Sequence, residues 1–238
     1  MQNQSPLITG HDSINKELTT LSAQQRAAWA FEHLPTTHVL TSSFGIQSAV
    51  MLHMVTRIQS DIPVILIDTG YLFEETYQFI EALSKRLSLN LQVIKPIYTP
   101  VELEKHHGQL WLTGEEGIAQ YNQITKVEPM QRALQSTQAQ TWFSGLRAQQ
   151  SKSRQALSPL EMQDGRYKIL PIIDWSNRDV HLYMKQHDLP YHPLWEEGYV
   201  SVGDTHTSKP LSVGMLEEET RFFGLQRECG IHSHQQAV

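Results

Sequence analysis

Pro63-Val64-Ile65-Leu66-Ile67 is a continuous apolar run with no polar face. A strand half-exposed to water alternates apolar and polar residues, whereas one without alternation is covered on both sides, as inside a parallel sheet flanked by helices. The neighbouring segments supply such layers. His38-Val39-Leu40-Thr41 reads as a first strand, and Ala49, Val50, Leu52, Met54 and Val55 continue as a mostly apolar helix. A helix is expected from Phe73 to Leu87 and a third strand at Leu91-Gln92-Val93-Ile94. This repeated order implies right-handed crossovers and an α/β fold with a doubly wound, mostly parallel sheet, whose ligands collect at the carboxyl ends of the strands.

Residues 1–12 are polar and are expected to form a poorly ordered lead. Apolar residues from Ile14 to Leu21 recur at helical spacing, and Ser22 with Gln25 makes a capping-box start for a helix ending before Pro35. Beyond Pro100 a short helix carries Glu102, Glu104, His106 and His107. Adjacent histidines point to different sides of a helix, so a solvated face is expected there rather than a metal site. Gly108 to Asn122 looks less regular and is read as a cover over the sheet edge. Pro129 suits the first turn of a helix running through Leu134. Further strands are expected at Thr141-Trp142-Phe143 and Tyr167 to Pro171, and Ser176 to Asp179 starts another helix. Leu189 to Val213 is rich in Pro, Gly, His and Ser without periodicity, and so long an irregular segment in a compact protein is usually functional.

At 238 residues the chain suffices for one generous domain, read as residues 1–224, followed by a mobile tail over 225–238. A net charge of -6 argues against general nucleic-acid binding yet permits a local anion pocket. No charged leader with an apolar stretch and no run of about 18 apolar residues is found, so no membrane association is expected.

Three stretches carry chemistry. After the first strand, Ser42-Ser43-Phe44-Gly45-Ile46-Gln47 leads into a helix, where free N–H groups, the helix dipole and the two serine hydroxyls favour an anion. Asp68 and Thr69 end the second strand at the same edge, where Asp68 either touches a ligand's ribose or base or caps the following helix. Arg147, Lys152 and Arg154 lie among Ser and Gln residues directly after a strand, the composition of a phosphate-handling loop. Cys229, in Arg227-Glu228-Cys229-Gly230-Ile231-His232, is the only cysteine. No disulfide can form within the chain, and a single cysteine fits a reducing cytoplasm. Arg227 and a protonated His232 would stabilise a thiolate, and Glu228 would oppose it. The chemical reading is a reactive thiol. Its rivals are a small buried side chain and a metal ligand acting with His232 and His234.

Taken together, S-S-F-G-I-Q at Ser42, I-D-T-G-Y at Ile67, K-V-E-P-M at Lys126, W-F-S-G-L-R at Trp142, L-P-I-I-D-W at Leu170, Y-H-P-L-W at Tyr191, G-D-T-H-T at Gly203 and R-E-C-G-I-H at Arg227 closely resemble the assimilatory phosphoadenylyl-sulfate reductases. The resemblance spans the chain from about residue 20. It implies an adenine-nucleotide α-hydrolase-like fold and reduction of 3'-phosphoadenylyl sulfate (PAPS) to sulfite and adenosine 3',5'-bisphosphate, in sulfate assimilation toward cysteine. It implies thioredoxin as co-substrate, with glutaredoxin an alternative, and a homodimer in the cytoplasm. Cys229 would be the nucleophile, with Arg227 and His232 beside it. Ser42, Ser43, Phe44, Gly45, Gln47, Asp68, Thr69, Lys126, Arg147 and Arg154 would bind substrate. Relatives that use adenosine 5'-phosphosulfate hold a four-iron cluster on two cysteine pairs. The matching positions here are Tyr121, Asn122, Asp204 and Thr207, so no iron-sulfur cluster and no bound cofactor or metal is expected. Two other classes compete: a nucleotidyl-transferring relative of the same fold, and a non-catalytic nucleotide- or metal-binding module.

Overall fold

The computed structural model describes residues 10–225 and 228–231. Its centre is a six-stranded sheet in the order β3-β2-β1-β4-β6-β5, built from β1 (His38–Thr41), β2 (Pro63–Ile67), β3 (Asn90–Ile94), β4 (Thr141–Phe143), β5 (Leu160–Gln163) and β6 (Arg166–Ile169). Every pairing is parallel except that of β5 with β6. The chain winds outward from β1 through β2 to β3, then returns to the other side of β1 for β4. The direction therefore reverses between β1 and β4, and there the loops at the strand ends diverge and leave a crevice.

Successive side chains of a strand point to opposite faces. Leu40, Val64, Leu66 and Phe143 join the large core formed with α2 (Ala23–His33), α3 (Ala49–Thr56), α4 (Glu74–Leu87) and α8 (Asn177–Gln186). Val39, Ile65, Ile67 and Trp142 face the other way, onto Met130, Ala133 and Leu134 of α7 (Glu128–Ser136). This two-sided cover is why the Pro63 run carries no polar face. The capping boxes expected at Ser22 and Ser176 are both formed, and a third closes Thr99 onto Glu102 at the start of α5 (Pro100–His107).

Three expectations need correction. The first helix, α1 (His11–Thr20), begins inside the expected polar lead. Residues 108–122 are not an irregular cover: Leu110–Leu112 forms a 3-10 turn and Gly114–Asn122 is a regular helix, α6. Leu110, Trp111 and Tyr121 are buried with Leu103, so the stretch is a satellite core whose apolar residues are too widely spaced to show as one stripe. The third correction is β5, which the sequence reading lacks. Asp164 and Gly165 turn the hairpin with φ of 50° and 73°. Two positive φ values in a two-residue loop match the right-handed twist of the flanking strands, and Asp-Gly favours them.

That antiparallel strand is an exposed edge, and α1 blunts it. The Asn15 side chain donates to the Leu160 carbonyl and accepts from the Leu160 N–H, both at 2.9 Å. Arg26 of α2 fastens the same corner. Only 2% exposed, it donates to the carbonyls of Leu18 at 2.7 Å and Pro171 at 3.0 Å, and grips both Asp174 carboxylate oxygens at 2.6 and 2.7 Å. Removing the guanidinium strands buried acceptors. Because Asp174 can turn to water, the cost of Arg26→Met rests on the Leu18 and Pro171 carbonyls and is expected to be about 1–3 kcal/mol, read as a lower urea midpoint with an unchanged slope.

Candidate active site

A cavity of about 280 Å³ opens at the β1–β4 switch point. The turn after β1 forms its floor. Phe44 adopts φ of 48°, and its ring is fully buried. A non-glycine residue in this region costs about 1–2 kcal/mol, a strain held by the core around the ring. Ser42 Oγ accepts from the Phe44 N–H at 3.1 Å, which leaves the hydroxyl proton to donate elsewhere. Ser42, Ser43, Gly45 and Gln47 line the cavity; Phe44 anchors the turn from below.

The loop after β4 supplies the first cation. Arg147 is 4% exposed, and its Nη2 donates to Gln47 Oε1 at 2.7 Å. That bond crosses the switch point and joins the two loops that flank it. On the opposite wall stands Lys126, 7% exposed, in a π-helical segment (Gln123–Val127) between α6 and α7. Such insertions recur at functional sites because they shift side-chain register within a helix. Lys126 Nζ donates to Asn122 Oδ1 at 3.2 Å and pairs with Asp204 Oδ2 at 2.5 Å, where both side chains are buried. Thr69 donates to the other Asp204 oxygen at 2.5 Å. Burial pushes the Asp204 carboxyl up, but the Lys126 ammonium, the Thr69 hydroxyl and the nearby Arg221 outweigh it, and the group is held down at about 2.

Tyr121, Asn122 and Thr207 surround this pair, and with Asp204 they are the four positions that match the cluster cysteines of the relatives. The Lys126 ammonium lies 5.0 Å from the Tyr121 ring centre, and the Thr207 N–H donates to the Asp204 carbonyl at 3.1 Å. None of the four offers a thiolate. Burial beside them lowers His206 to about 4, so its imidazole is neutral at physiological pH.

Cys229 lines the same cavity, partly exposed. Ile231 packs into the α7-side core, and its carbonyl accepts from Gln163 Nε2 at 2.9 Å. Gln163 Oε1 in turn accepts from Lys168 Nζ at 2.8 Å. Lys168 is a buried cation pressed down to about 8, mainly by burial. Arg154 also lines the cavity, but its guanidinium is engaged by Glu228 at 2.7 Å and by Gln150.

The structure thus brings Ser42, Ser43, Gly45, Gln47, Thr69, Lys126, Arg147, Arg154 and Cys229 to one cavity. Asp68 does not line it, and accepts instead from the Gly70 N–H at 2.9 Å and the Tyr77 hydroxyl at 2.8 Å. Arg227 and His232 lie outside the described residues, as does His234. Two charged lining residues are absent from the sequence-derived site, Asp204 and Arg221. Asp204 stood out only as a cluster-position mismatch, although an acid beside Gly203 in an irregular segment hinted at a buried partner. Arg221 belongs to no motif in the sequence, yet it lines the cavity and donates to the Val202 carbonyl at 3.0 Å. An added Cβ at Gly203 would lie 2.1 Å from Arg221 Nη2, so this glycine makes room for the guanidinium. Among the described residues, no helix is long and apolar enough to cross a membrane, and no group of three or more His, Cys, Asp or Glu side chains could hold a metal ion.

Fold and cavity together define an α/β protein whose switch-point cavity is lined by cations and by a thiol. A family model described as the phosphoadenosine phosphosulfate reductase domain matches residues 37–210. A phosphoadenosine 5'-phosphosulfate reductase of Shewanella oneidensis is 62% identical over 221 residues, covering 93% of this chain and 90% of its own. One from Xylella fastidiosa is 56% identical over 96% of this chain and 97% of its own. The crystal structure of phosphoadenylyl-sulfate reductase from Candida auris, a phosphate complex, aligns with a TM-score of 0.75 at 30% identity, covering 87% of this chain and 100% of that one. Candida glabrata FMN adenylyltransferase shares the fold alone, with a TM-score of 0.60 at 14% identity over 90% of this chain and 71% of that one. The chain belongs to the phosphoadenosine phosphosulfate reductase family, and its sheet is of the adenine-nucleotide α-hydrolase-like kind.

The Lys126–Asp204 pair generates a pH prediction. Asp204 titrates at about 2 when folded against 3.8 when free. Its contribution to stability is complete above the free value and is lost as pH falls toward the folded one. Asp204→Asn should flatten the stability slope across that window. It should also lower neutral-pH stability by about 3 kcal/mol, because a buried ammonium loses its counter-charge. Urea unfolding at a series of pH values reads both effects.

Proposed function

We propose that this chain reduces PAPS to sulfite and adenosine 3',5'-bisphosphate. The observation that carries the reading is that Cys229 shares one cavity with the Ser42–Gln47 turn, Lys126 and Arg147. The substrate is a crowded polyanion, and a thiolate must approach it. Lys126, Arg147 and Arg221 offer positive charge there, while the turn offers hydroxyl and backbone donors. Arg154, expected from the sequence to join them, has its guanidinium held by Glu228, and Arg227 and His232 flank the nucleophile in sequence.

The Cys229 thiolate attacks the sulfonate sulfur, the bond from that sulfur to the bridging phosphate oxygen breaks, and adenosine bisphosphate leaves with the electron pair. An S-sulfocysteine remains. No second cysteine exists to resolve it. An external dithiol therefore supplies two electrons: one thiolate attacks Cys229 Sγ and expels sulfite, and its neighbour resolves the mixed disulfide. Thioredoxin, or a glutaredoxin, meets that requirement, and the pathway would be sulfate assimilation toward cysteine. The scheme uses no iron-sulfur cluster. A lone thiol that must return to the reduced state suits the cytoplasm, and a homodimer is part of the same reading.

Reduced protein mixed with PAPS and no reductant should gain the mass of one sulfonate group on Cys229, and with adenosine 5'-phosphosulfate it should gain nothing. An adduct with both substrates removes the dependence on the 3'-phosphate. No adduct in protein that still binds nucleotide removes the mechanism. Cys229→Ser should abolish sulfite release and keep nucleotide binding, as measured by calorimetry.

A further inference from the structure

Glu228 is an awkward neighbour for a nucleophile that must meet a polyanion, because its charge opposes both the thiolate and the substrate. The structure shows how that charge is handled. Four donors converge on its carboxylate. Ser151 Oγ lies 2.8 Å, Ser153 Oγ 3.2 Å and Arg154 Nε 2.8 Å from Oε1, and Arg154 Nη2 lies 2.7 Å from Oε2. Burial would raise this carboxyl, yet these donors hold it below the usual range. A two-pronged guanidinium–carboxylate contact reinforced by two hydroxyls is a directional, charge-assisted grip. On the far side of Cys229, Gly230 takes φ of 82° so close to Val127 that an added Cβ would sit 3.1 Å from Val127 Cγ2. Ile231 then fills an apolar socket, with its carbonyl on Gln163.

We infer that the Ser151–Arg154 loop is the dock of the C-terminal segment and that Glu228 is a positioning residue, whose carboxylate sets Cys229 at the cavity. The loop looks like a phosphate cradle in sequence because the ligand it grips is also an oxyanion. While Cys229 is seated, the cradle is filled by the chain itself, and the substrate's charge falls to Lys126, Arg147 and Arg221. A polar clamp suits a segment that must also leave to meet a reductant. Its donors and acceptor can exchange to water, whereas a larger apolar anchor would hold on. The inference rests on Cys229 being the attacking thiol.

The test compares Glu228→Gln, Arg154→Ala and the charge swap Arg154→Glu with Glu228→Arg in the full chain. Three readouts serve: hydrogen exchange of the C-terminal peptide, kcat and KM for PAPS, and calorimetric affinity for adenosine 3',5'-bisphosphate. Glu228→Gln should speed exchange at residues 228–231 several-fold and lower kcat about tenfold, leaving KM and nucleotide affinity within about twofold. The swap should recover part of the lost kcat, which a loss of general packing would not allow. Unchanged exchange in Glu228→Gln overturns the dock, whether or not the nucleotide then binds more tightly. Weaker nucleotide binding with unchanged exchange in Arg154→Ala overturns it too and returns the cradle to the substrate. Exchange needs no turnover: if Cys229→Ser stays active while Glu228→Gln loosens the peptide, the reductase mechanism fails and the dock stands.

Discussion

The buried pair of Lys126 and Asp204 joins two parts of the chain that secondary structure leaves unconnected. Lys126 belongs to the helical span from Gly114 to Ser136, interrupted by its π segment, and Asp204 belongs to the irregular run after α8. Taking two charges out of water is costly, and mutual attraction offsets the cost only when the remaining donors and acceptors are also satisfied. Asn122 accepts from the ammonium and Thr69 donates to the carboxylate, which offsets part of that cost. The pair closes one wall of the cavity and fixes where the Lys126 ammonium points. Asp204 also holds Thr207, and Gly203 beside it leaves space for Arg221. A run with almost no periodicity is thus tied to the cavity wall partly through one residue, by its carboxylate to Lys126 and Thr69 and by its main-chain carbonyl to Thr207.

The opposite wall depends on a second polar connection of a different kind. Gln47 and Arg147 lie on the two loops that diverge at the switch point, and the bond between them sets the width of the cavity where no backbone ladder reaches. Beyond it, the Ser151–Arg154 loop receives Glu228. The cavity is therefore built from strand-end loops on a rigid sheet and edged by a segment held through side chains.

Much of the fold was legible because it rests on local regularities. The unbroken apolar run at Pro63, the capping boxes at Ser22 and Ser176 and the order of strands and helices each depend on near neighbours, and each appears in the structure. The misses have physical reasons. β5 is a short edge strand whose apolar contacts are shared with α1, so its own pattern is weak, although Asp164-Gly165 signalled the hairpin. Residues 110–121 bury aromatic residues through a 3-10 turn and a helix joined at an angle, which breaks any single periodicity.

For the site, residue types and motif order determined the chemistry on offer: one thiol, a serine-rich turn, and cations following strands in an acidic chain. Those are properties of composition and local spacing, and they hold whatever the tertiary arrangement. Only the folded structure decided which charges meet one another. Arg154 and Glu228 stand 74 positions apart and Lys126 and Asp204 stand 78 apart, so neither pairing leaves a local trace. Asp68 accepts from Gly70 and Tyr77 and so neither lines the cavity nor caps the following helix, the two roles its sequence position suggests. Long-range pairing of charges is set by the three-dimensional path of the backbone, because the energy of an ion pair depends on separation and burial in space, and neither is encoded by position along the chain.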